Sequence, residues 1–254
     1  MLQYLQMALV GVVTGTFARI YMLRIDYRQY PSYPQGFLVH ITLGMIAAFL
    51  GALVLPALLA KEYTAVTFLA VATQQFRDIR EMERTSLANI EETELVPRGS
   101  AYIEDIAKAF ESRNYLALLT ALCSSVLLYL TKKVSITLII SLLIILVLSY
   151  FTRRQKLGKI VVVNPAKIHF DRVMLCVDNM KLVNIGHPDL RKVFEEKALA
   201  VIIEPKDDNA RATLSNIGQR QAISHDIASI LGIKRDTDDV QFKPLSKIDT
   251  ETGR

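Results

Sequence analysis

Long apolar runs alternate with charged segments through the first 150 residues of this chain. The most apolar run, VSITLIISLLIILVLSYF, extends from Val134 to Phe151 without a charged residue. As a helix it would be about 27 Å long, which is enough to cross the hydrocarbon of a bilayer. A second run, from Tyr115 to Thr131, precedes it across Lys132 and Lys133. The pattern predicts an integral membrane protein.

The chain begins with another apolar run, from Tyr4 to Leu23, interrupted only by Arg19. Positive residues follow this run rather than precede it, which predicts a retained anchor with its N-terminus outside the cell. We expect Arg19 to reach the inner headgroups with its long side chain; a functional intramembrane arginine is the alternative. Gly11 and Gly15 have the G-x-x-x-G spacing, which we attribute to packing within the chain rather than to dimerisation.

A further span is predicted from Phe37 to Leu59. Small residues recur at helical spacing along it and offer a smooth packing face. His40 has no carboxylate in the same run. We therefore predict that it forms a helix–helix hydrogen bond rather than relaying protons.

The segment from Tyr63 to Phe76 is only fourteen residues long and is diluted by threonine and glutamine. Charge distribution decides how to interpret it. If it spans the membrane, the five-helix topology places thirteen positive residues inside and three outside; if it does not, the ratio is eleven to five. The positive-inside rule favours five transmembrane helices, with the N-terminus outside and the C-terminus cytosolic.

Residues 77–114 are predicted to form a cytosolic helical insertion in a membrane domain of residues 1–152. Helical periodicity continues past Phe76, breaks at LVPRGS, and resumes in a helix capped by Ser100 that ends where the chain turns at Tyr115. An apolar stripe on this second helix needs a cover, and its acids can pair with Arg77, Arg80 and Arg84. We predict a coupling or interaction site rather than a reaction site, formed by Tyr102, Ile103, Glu104, Asp105, Ile106, Phe110 and Arg113.

The remaining residues predict a small cytosolic α/β domain over 153–233 and a flexible polar tail over 234–254. Short β-rich runs come first, with a hairpin at Asp178. A helix from Pro188 follows, with Leu190, Val193 and Phe194 facing inward. Leu199 to Ile203 is predicted to be a buried strand. A single long helix is predicted from Asp207 to Leu231, with an apolar face formed by Leu214, Ile217, Ile227, Ile230 and Leu231.

Composition and the absence of known motifs argue against several classes of function. The chain is 51% hydrophobic but 22% charged, so a polar region must accompany the membrane bundle. The net charge of +5 is explained by basic residues beside apolar runs, and we predict no nucleic-acid partner. The sequence has no nucleotide-binding glycine loop and no zinc-binding pattern. His169 and Asp171 lie on one strand face, which we interpret as solvated rather than metal-binding.

Two segments resemble a known family. RGSAYIEDIA from Arg98 to Ala107, with FESRNY from Phe110 to Tyr115, and DNARATLSNIGQRQAISHDIASILG near the C-terminus are similar to the YIEGIA family of membrane proteins from endospore-forming bacteria. The hexapeptide of that name falls on Tyr102 to Ala107, with Asp105 in place of glycine. This substitution leaves the helix intact but puts in doubt any role that needs backbone freedom there. The resemblance implies a sporulation-associated envelope protein and brings no catalytic residues.

The leading hypothesis is a non-enzymatic membrane protein that anchors a cytosolic interaction domain during spore formation, with the lipid bilayer and a cytosolic protein as partners and no cofactor. Homo-oligomerisation stays open. A subunit of a channel or transporter is the first alternative, although no predicted span carries an acidic residue. A membrane-bound enzyme or nucleotide sensor is the second.

Overall fold

The computed structural model describes residues 2–26, 34–90, 97–152, 157–230 and 245–249. The chain divides into two compact units, a helical unit of Met1–Ser86 with Glu104–Arg153 and a C-terminal unit of Leu87–Ile103 with Arg154–Arg254. The sequence predicts a loop from Arg24 to Gly36, of which residues 27–33 lie outside the described residues, as do residues 153–156 and most of the tail.

Five long helices form the first part of the chain. They are α1 (Leu2–Asp26), α2 (Pro34–Leu59), α3 (Tyr63–Ile90), α4 (Ser100–Thr131) and α5 (Val134–Thr152). Helix α3 extends well beyond Phe76, as the periodicity predicted. The turn predicted at Tyr115 is wrong, because α4 continues through it without a break. Arg113 and Asn114, which directly precede this position, are buried in the middle of the helix.

Three stretches within the described residues are long and apolar enough to cross a membrane: Leu2–Leu23, Phe37–Leu59 and Ser100–Thr131. Val134–Tyr150 in α5 is also apolar but shorter. Helix α3 does not meet the same criteria over its described length, Tyr63–Ile90. These properties are compatible with a membrane protein and leave the number of spans undetermined.

Polar side chains lie inside the helical unit, and large apolar side chains lie on its outside. A chain of hydroxyl groups connects three helices: Thr14 Oγ1 in α1 donates to Ser124 Oγ in α4 at 2.8 Å, and Ser124 Oγ lies 2.8 Å from Ser141 Oγ in α5. The exposed apolar residues include Leu9, Phe17, Phe49, Ile139 and Leu143. In water, both the buried polar groups and the exposed apolar side chains would be unfavourable. The same distribution is typical of helices surrounded by lipid.

Small residues bring α1, α2 and α4 into close contact. A Cβ atom at Gly51 in α2 would lie 2.1 Å from the carbonyl oxygen of Leu118 in α4. One at Gly15 in α1 would lie 2.7 Å from the carbonyl oxygen of Ala117. The prediction that the G-x-x-x-G pair serves packing within the chain is therefore confirmed, because Gly11 and Gly15 both face α2 and α4.

The C-terminal unit contains short helices and strands. In chain order these are α6 (Leu157–Ile160), β1 (Val161–Ala166), β2 (Ile168–Asp171), β3 (Met174–Val177), β4 (Met180–Asn184), α7 (Pro188–Lys197), β5 (Ala200–Pro205), α8 (Asp208–Ser215) and α9 (Ile217–Ile230). Strands β1 and β5 pair antiparallel, and β2, β3 and β4 form an antiparallel meander. The hairpin predicted at Asp178 is present between β3 and β4.

Three expectations for this unit are wrong. The predicted long helix is divided at Asn216, where the backbone is extended (ψ 126°); this changes the helical phase, so that Ile217 and Ile230 are exposed. Helix α7 has no buried residue, and the Leu190 and Val193 side chains are exposed. Strand β5 is also not fully buried, because its only partner within the described residues is β1.

Candidate interaction site along helix α4

The beginning of α4 is held by a side chain from α9. Tyr102 N donates to Gln221 Oε1 at 3.2 Å, which satisfies one of the amides that a helix leaves unpaired in its first turn. Gly99 precedes the helix with φ of 79°, and a Cβ there would lie 2.2 Å from the Gln221 amide nitrogen. The positive φ favours glycine at this position, and the Gln221 side chain packs directly against its backbone. The predicted cap, Ser100, is instead the first helical residue.

The Tyr102 side chain is buried against α9, the helix that carries Gln221. Its ring centroid lies 6.2 Å from that of His225 in α9, and both side chains are at least nine-tenths buried. The Nδ1 atom of His225 lies 3.9 Å from Asp226 Oδ1. The first turn of α4 is thus fixed by a backbone hydrogen bond and an aromatic contact from two residues one helical turn apart.

The apolar stripe predicted on this helix is buried along its whole length. Ile103, Ile106 and Phe110 are each at most 2% exposed. Glu104 and Asp105 lie on the half-exposed side, and Glu104 Oε1 pairs with Lys108 Nζ at 3.4 Å. Burial of each large apolar side chain stabilises the fold by about 1.5–3 kcal/mol.

Acidic and basic residues pair between α3 and α4. Arg80 Nη1 lies 2.9 Å from Glu111 Oε2, as the sequence predicted for these two helices. Arg84 is instead bound within its own helix by Glu81, and this hydrogen bond lowers the pKa of the Glu81 carboxyl. The Glu81–Arg84 pair is exposed and screened by solvent, whereas the Arg80–Glu111 pair is partly buried. Arg113 differs from them because it is buried.

Further along the helical unit, Arg19 is fully buried. Its Nε donates to Asn114 Oδ1 in α4 at 3.1 Å, and its Nη2 lies 3.1 Å from His40 Nδ1 in α2. The guanidinium carbon lies 5.3 Å from the centre of the Phe110 ring, and His40 packs edge-on against that ring with centroids 4.7 Å apart. The expectation that Arg19 reaches the headgroups is wrong, because its side chain has 0% exposure.

The chemistry of this cluster assigns the His40 tautomer. A guanidinium has donors only, so His40 Nδ1 accepts the hydrogen bond and the ring proton lies on Nε2. The prediction that His40 joins two helices by a hydrogen bond is confirmed. Gly44 completes the cluster, since a Cβ there would lie 2.2 Å from Arg19 Cγ. The arrangement holds the Arg19 guanidinium of α1 by hydrogen bonds and ring contacts from two other helices, α2 and α4.

Sequence reasoning missed two residues of this site. Asn114 was placed at the end of the cytosolic helix, beside the turn predicted at Tyr115, and Gln221 was not singled out. The signal for Asn114 was its position between two apolar runs without a proline or glycine to end the helix. No local signal identifies Gln221, because its contact with Tyr102 is separated by 119 residues.

The described residues contain no group of three or more histidine, cysteine or acidic side chains that could bind a metal ion. His169 and Asp171 are both exposed, and Asp171 Oδ2 lies 3.4 Å from Lys181 Nζ. Cys123 and Cys176 are free. The polar residues with the most hydrogen bonds and ring contacts are those that hold helices together.

These features define a mostly helical protein with apolar helices of membrane-spanning length and a C-terminal unit that contains strands. The chain belongs to the YIEGIA family: the family model described as YIEGIA protein matches residues 7–254. It is also 43% identical over 254 residues to "Uncharacterized protein YphB" of Bacillus subtilis (strain 168), in an alignment that covers 100% of this chain and 85% of that protein. No solved structure matches the chain.

Proposed function

We propose that this chain is a non-enzymatic integral membrane protein that anchors a cytosolic interaction unit and recruits a protein partner during spore formation. The observation that carries the proposal is the inverted distribution of side chains in the helical unit. Several hydroxyl groups and Arg19 are buried, and many leucine, isoleucine and phenylalanine side chains are exposed. Lipid tails solvate such a surface, whereas water does not.

The topology we propose has five transmembrane helices, with the N-terminus outside and the C-terminus cytosolic. The positive-inside rule supports this arrangement. The apolar length of α5 supports it as well. For α3 the support is packing, because Phe76 is buried with Ala47 of α2 and Ala117 of α4.

We assign the Tyr102–Arg113 segment a coupling role. One continuous helix carries Tyr102, which contacts Gln221 and His225, and Phe110, which contacts Arg19 and His40. Two acids of the segment are paired with bases, Glu104 with Lys108 and Glu111 with Arg80, which favours a structural role over reaction chemistry.

The link to spore formation rests on family membership. The resemblance noted from the sequence is to proteins of endospore-forming bacteria, and the 43% identical relative comes from Bacillus subtilis. Family membership thus supports spore formation as the cellular process in which the protein acts, and it does not identify the protein partner.

The test compares two aspartate substitutions on one helix, made in the native host. Ile106→Asp puts a charge into the buried stripe and should lower the amount of protein in the membrane or release its partner. Ser112→Asp adds the same charge at an exposed position and should have little effect. Quantitative immunoblotting and crosslinking from sporulating cells measure both outcomes.

Glu104→Gln separates this proposal from catalysis. On our proposal the variant is mild, because it removes only a partly exposed pair with Lys108. If Glu104 were a catalytic residue, the variant would reach normal abundance and still lose the sporulation phenotype completely. That result would overturn the coupling role.

A channel or transporter subunit is the second candidate, and the buried Arg19 favours it. Ionisable residues within membrane helices often mark an ion or substrate pathway. Purified protein in liposomes should show no solute flux if the anchoring proposal holds. Flux that Arg19→Gln abolishes, in a variant that remains folded, would favour the transport candidate instead.

A further inference from the structure

The C-terminal unit contains an apolar cavity of about 300 Å³. Its walls come from the β2–β4 meander, from α7 and β5, and from α9. Side chains that line it include Leu175, Met180, Phe194, Ile203, Ile223 and Ile227. The volume is at the lower end of the range typical of small-molecule sites.

One side of the cavity is polar. Arg220, Ser224 and Lys247 line the cavity and also line an adjacent recess that includes Gln221. The segment Leu245–Ile248 closes this side, where the Lys247 ammonium donates to the carbonyl oxygen of Lys181. No acidic residue is among the described residues that line either space.

Arg220 supplies a charge without a partner. It is half-buried, and within the described part of the chain its guanidinium forms no hydrogen bond or ion pair. It also lies in the first turn of α9, where the helix dipole adds to the positive potential. A guanidinium in this setting favours a planar anion such as a carboxylate, which it can bind through two parallel hydrogen bonds.

We propose that this cavity binds an amphipathic acid, with an alkyl chain in the apolar space and an acidic head at Arg220. The apolar walls exclude a wholly polar ligand, because burying its polar groups without hydrogen bonds would be unfavourable. Arg220 in turn distinguishes an acid from a neutral lipid of the same length. A carboxylate head can come from a free fatty acid, and a phosphate head from a lysophospholipid; both place an anion at Arg220. The inference is independent of the number of membrane spans.

The test uses the full chain in nanodiscs of zwitterionic phosphatidylcholine, with a diazirine-bearing palmitic acid as the probe. After photolysis, mass spectrometry identifies labelled peptides. Peptides from the apolar helices report the probe dissolved in lipid and serve as an internal reference. We expect saturable labelling of cavity peptides that palmitate suppresses and hexadecanol of the same length does not. If lysophosphatidate competes as well as palmitate does, the cavity recognises the negative charge that both head groups share rather than the carboxylate alone.

Two variants complete the design. Arg220→Ala should reduce cavity labelling, relative to the internal reference, at least about tenfold. Lys192→Ala removes the same charge from an exposed position outside the cavity and should leave labelling unchanged. Ala200→Leu places extra atoms in the cavity wall and should also reduce labelling.

Three results would overturn the proposal. Equal suppression by hexadecanol would mean that the acid head is not recognised. Equal labelling of the Arg220→Ala and Lys192→Ala proteins would remove Arg220 from the site. Label confined to the apolar helices would show that the cavity is not a binding site for this class of ligand.

Discussion

Replacement of Gly51 by alanine tests how α2 packs against α4. The new Cβ would lie 2.1 Å from the carbonyl oxygen of Leu118. Both atoms are held by helical backbone, so that relief of the overlap requires the helices to separate by about 1 Å. A gap of this size forfeits about a quarter to a half of each dispersion contact along the interface.

Two effects of opposite sign then decide the outcome. Overpacking of a tight interface costs about 1–3 kcal/mol. Alanine is favoured over glycine inside a helix by about 0.8–1 kcal/mol. The overlap is with backbone rather than with a flexible side chain, which places its cost at the upper end. We therefore expect the Gly51→Ala protein to be less stable by about 1–2 kcal/mol.

The assay is equilibrium unfolding of the full chain in mixed micelles of increasing dodecyl sulfate content, followed by circular dichroism. Gly158→Ala is the matched control, because a Cβ at Gly158 would meet no atom within 4 Å. It should unfold at the same detergent fraction as the parent protein or slightly beyond it, because alanine is favoured over glycine in a helix. If Gly51→Ala unfolds at or beyond the parent's midpoint, the close contact between α2 and α4 is refuted.

Three further predictions address topology and helix ends. Reporter fusions at Lys61 and at Lys132 should both be external; an internal signal at Lys61 would remove α3 as a span. Gln221→Ala should destabilise the first turn of α4 by about 1 kcal/mol, and the Tyr102 amide should then exchange with solvent faster; an unchanged rate would show that Gln221 is not its partner. Asp207→Ala removes the side-chain cap of α8 and should cost about 0.5–2 kcal/mol; an unchanged thermal unfolding midpoint would contradict this.

The sequence was most informative where one physical requirement acts alone. A bilayer demands long apolar helices, and the starts and ends of α2 and α5 are found close to their predicted positions. Turn chemistry was similarly reliable, because Asp178 adopts a positive φ of 46° between β3 and β4. Local rules govern both kinds of feature.

The C-terminal unit was predicted less well because tertiary contacts override its local patterns. A helical period continues from Asp207 into α9, but Asn216 ends α8 with an extended backbone and caps α9 by accepting from Gly218 N at 2.8 Å. The asparagine side chain competes with the helix for backbone hydrogen bonds. Once the helix is divided, the residues predicted to share one apolar face no longer lie on one face. The prediction of which side chains point inward is therefore wrong.

Arg19 and Asn114 explain each other's positions in the helical unit. The sequence offered a reason for each to leave the bundle, Arg19 because it is charged and Asn114 because it belongs to a polar run between apolar segments. The Arg19 Nε and Asn114 Oδ1 atoms instead lie 3.1 Å apart in the interior. A buried guanidinium is unfavourable without acceptors, and a mid-helix asparagine is tolerated when its side chain is engaged elsewhere. The same hydrogen bond therefore favours a buried Arg19 and a helix α4 that continues past Tyr115. Neither outcome can be predicted from the sequence of α1 or of α4 alone.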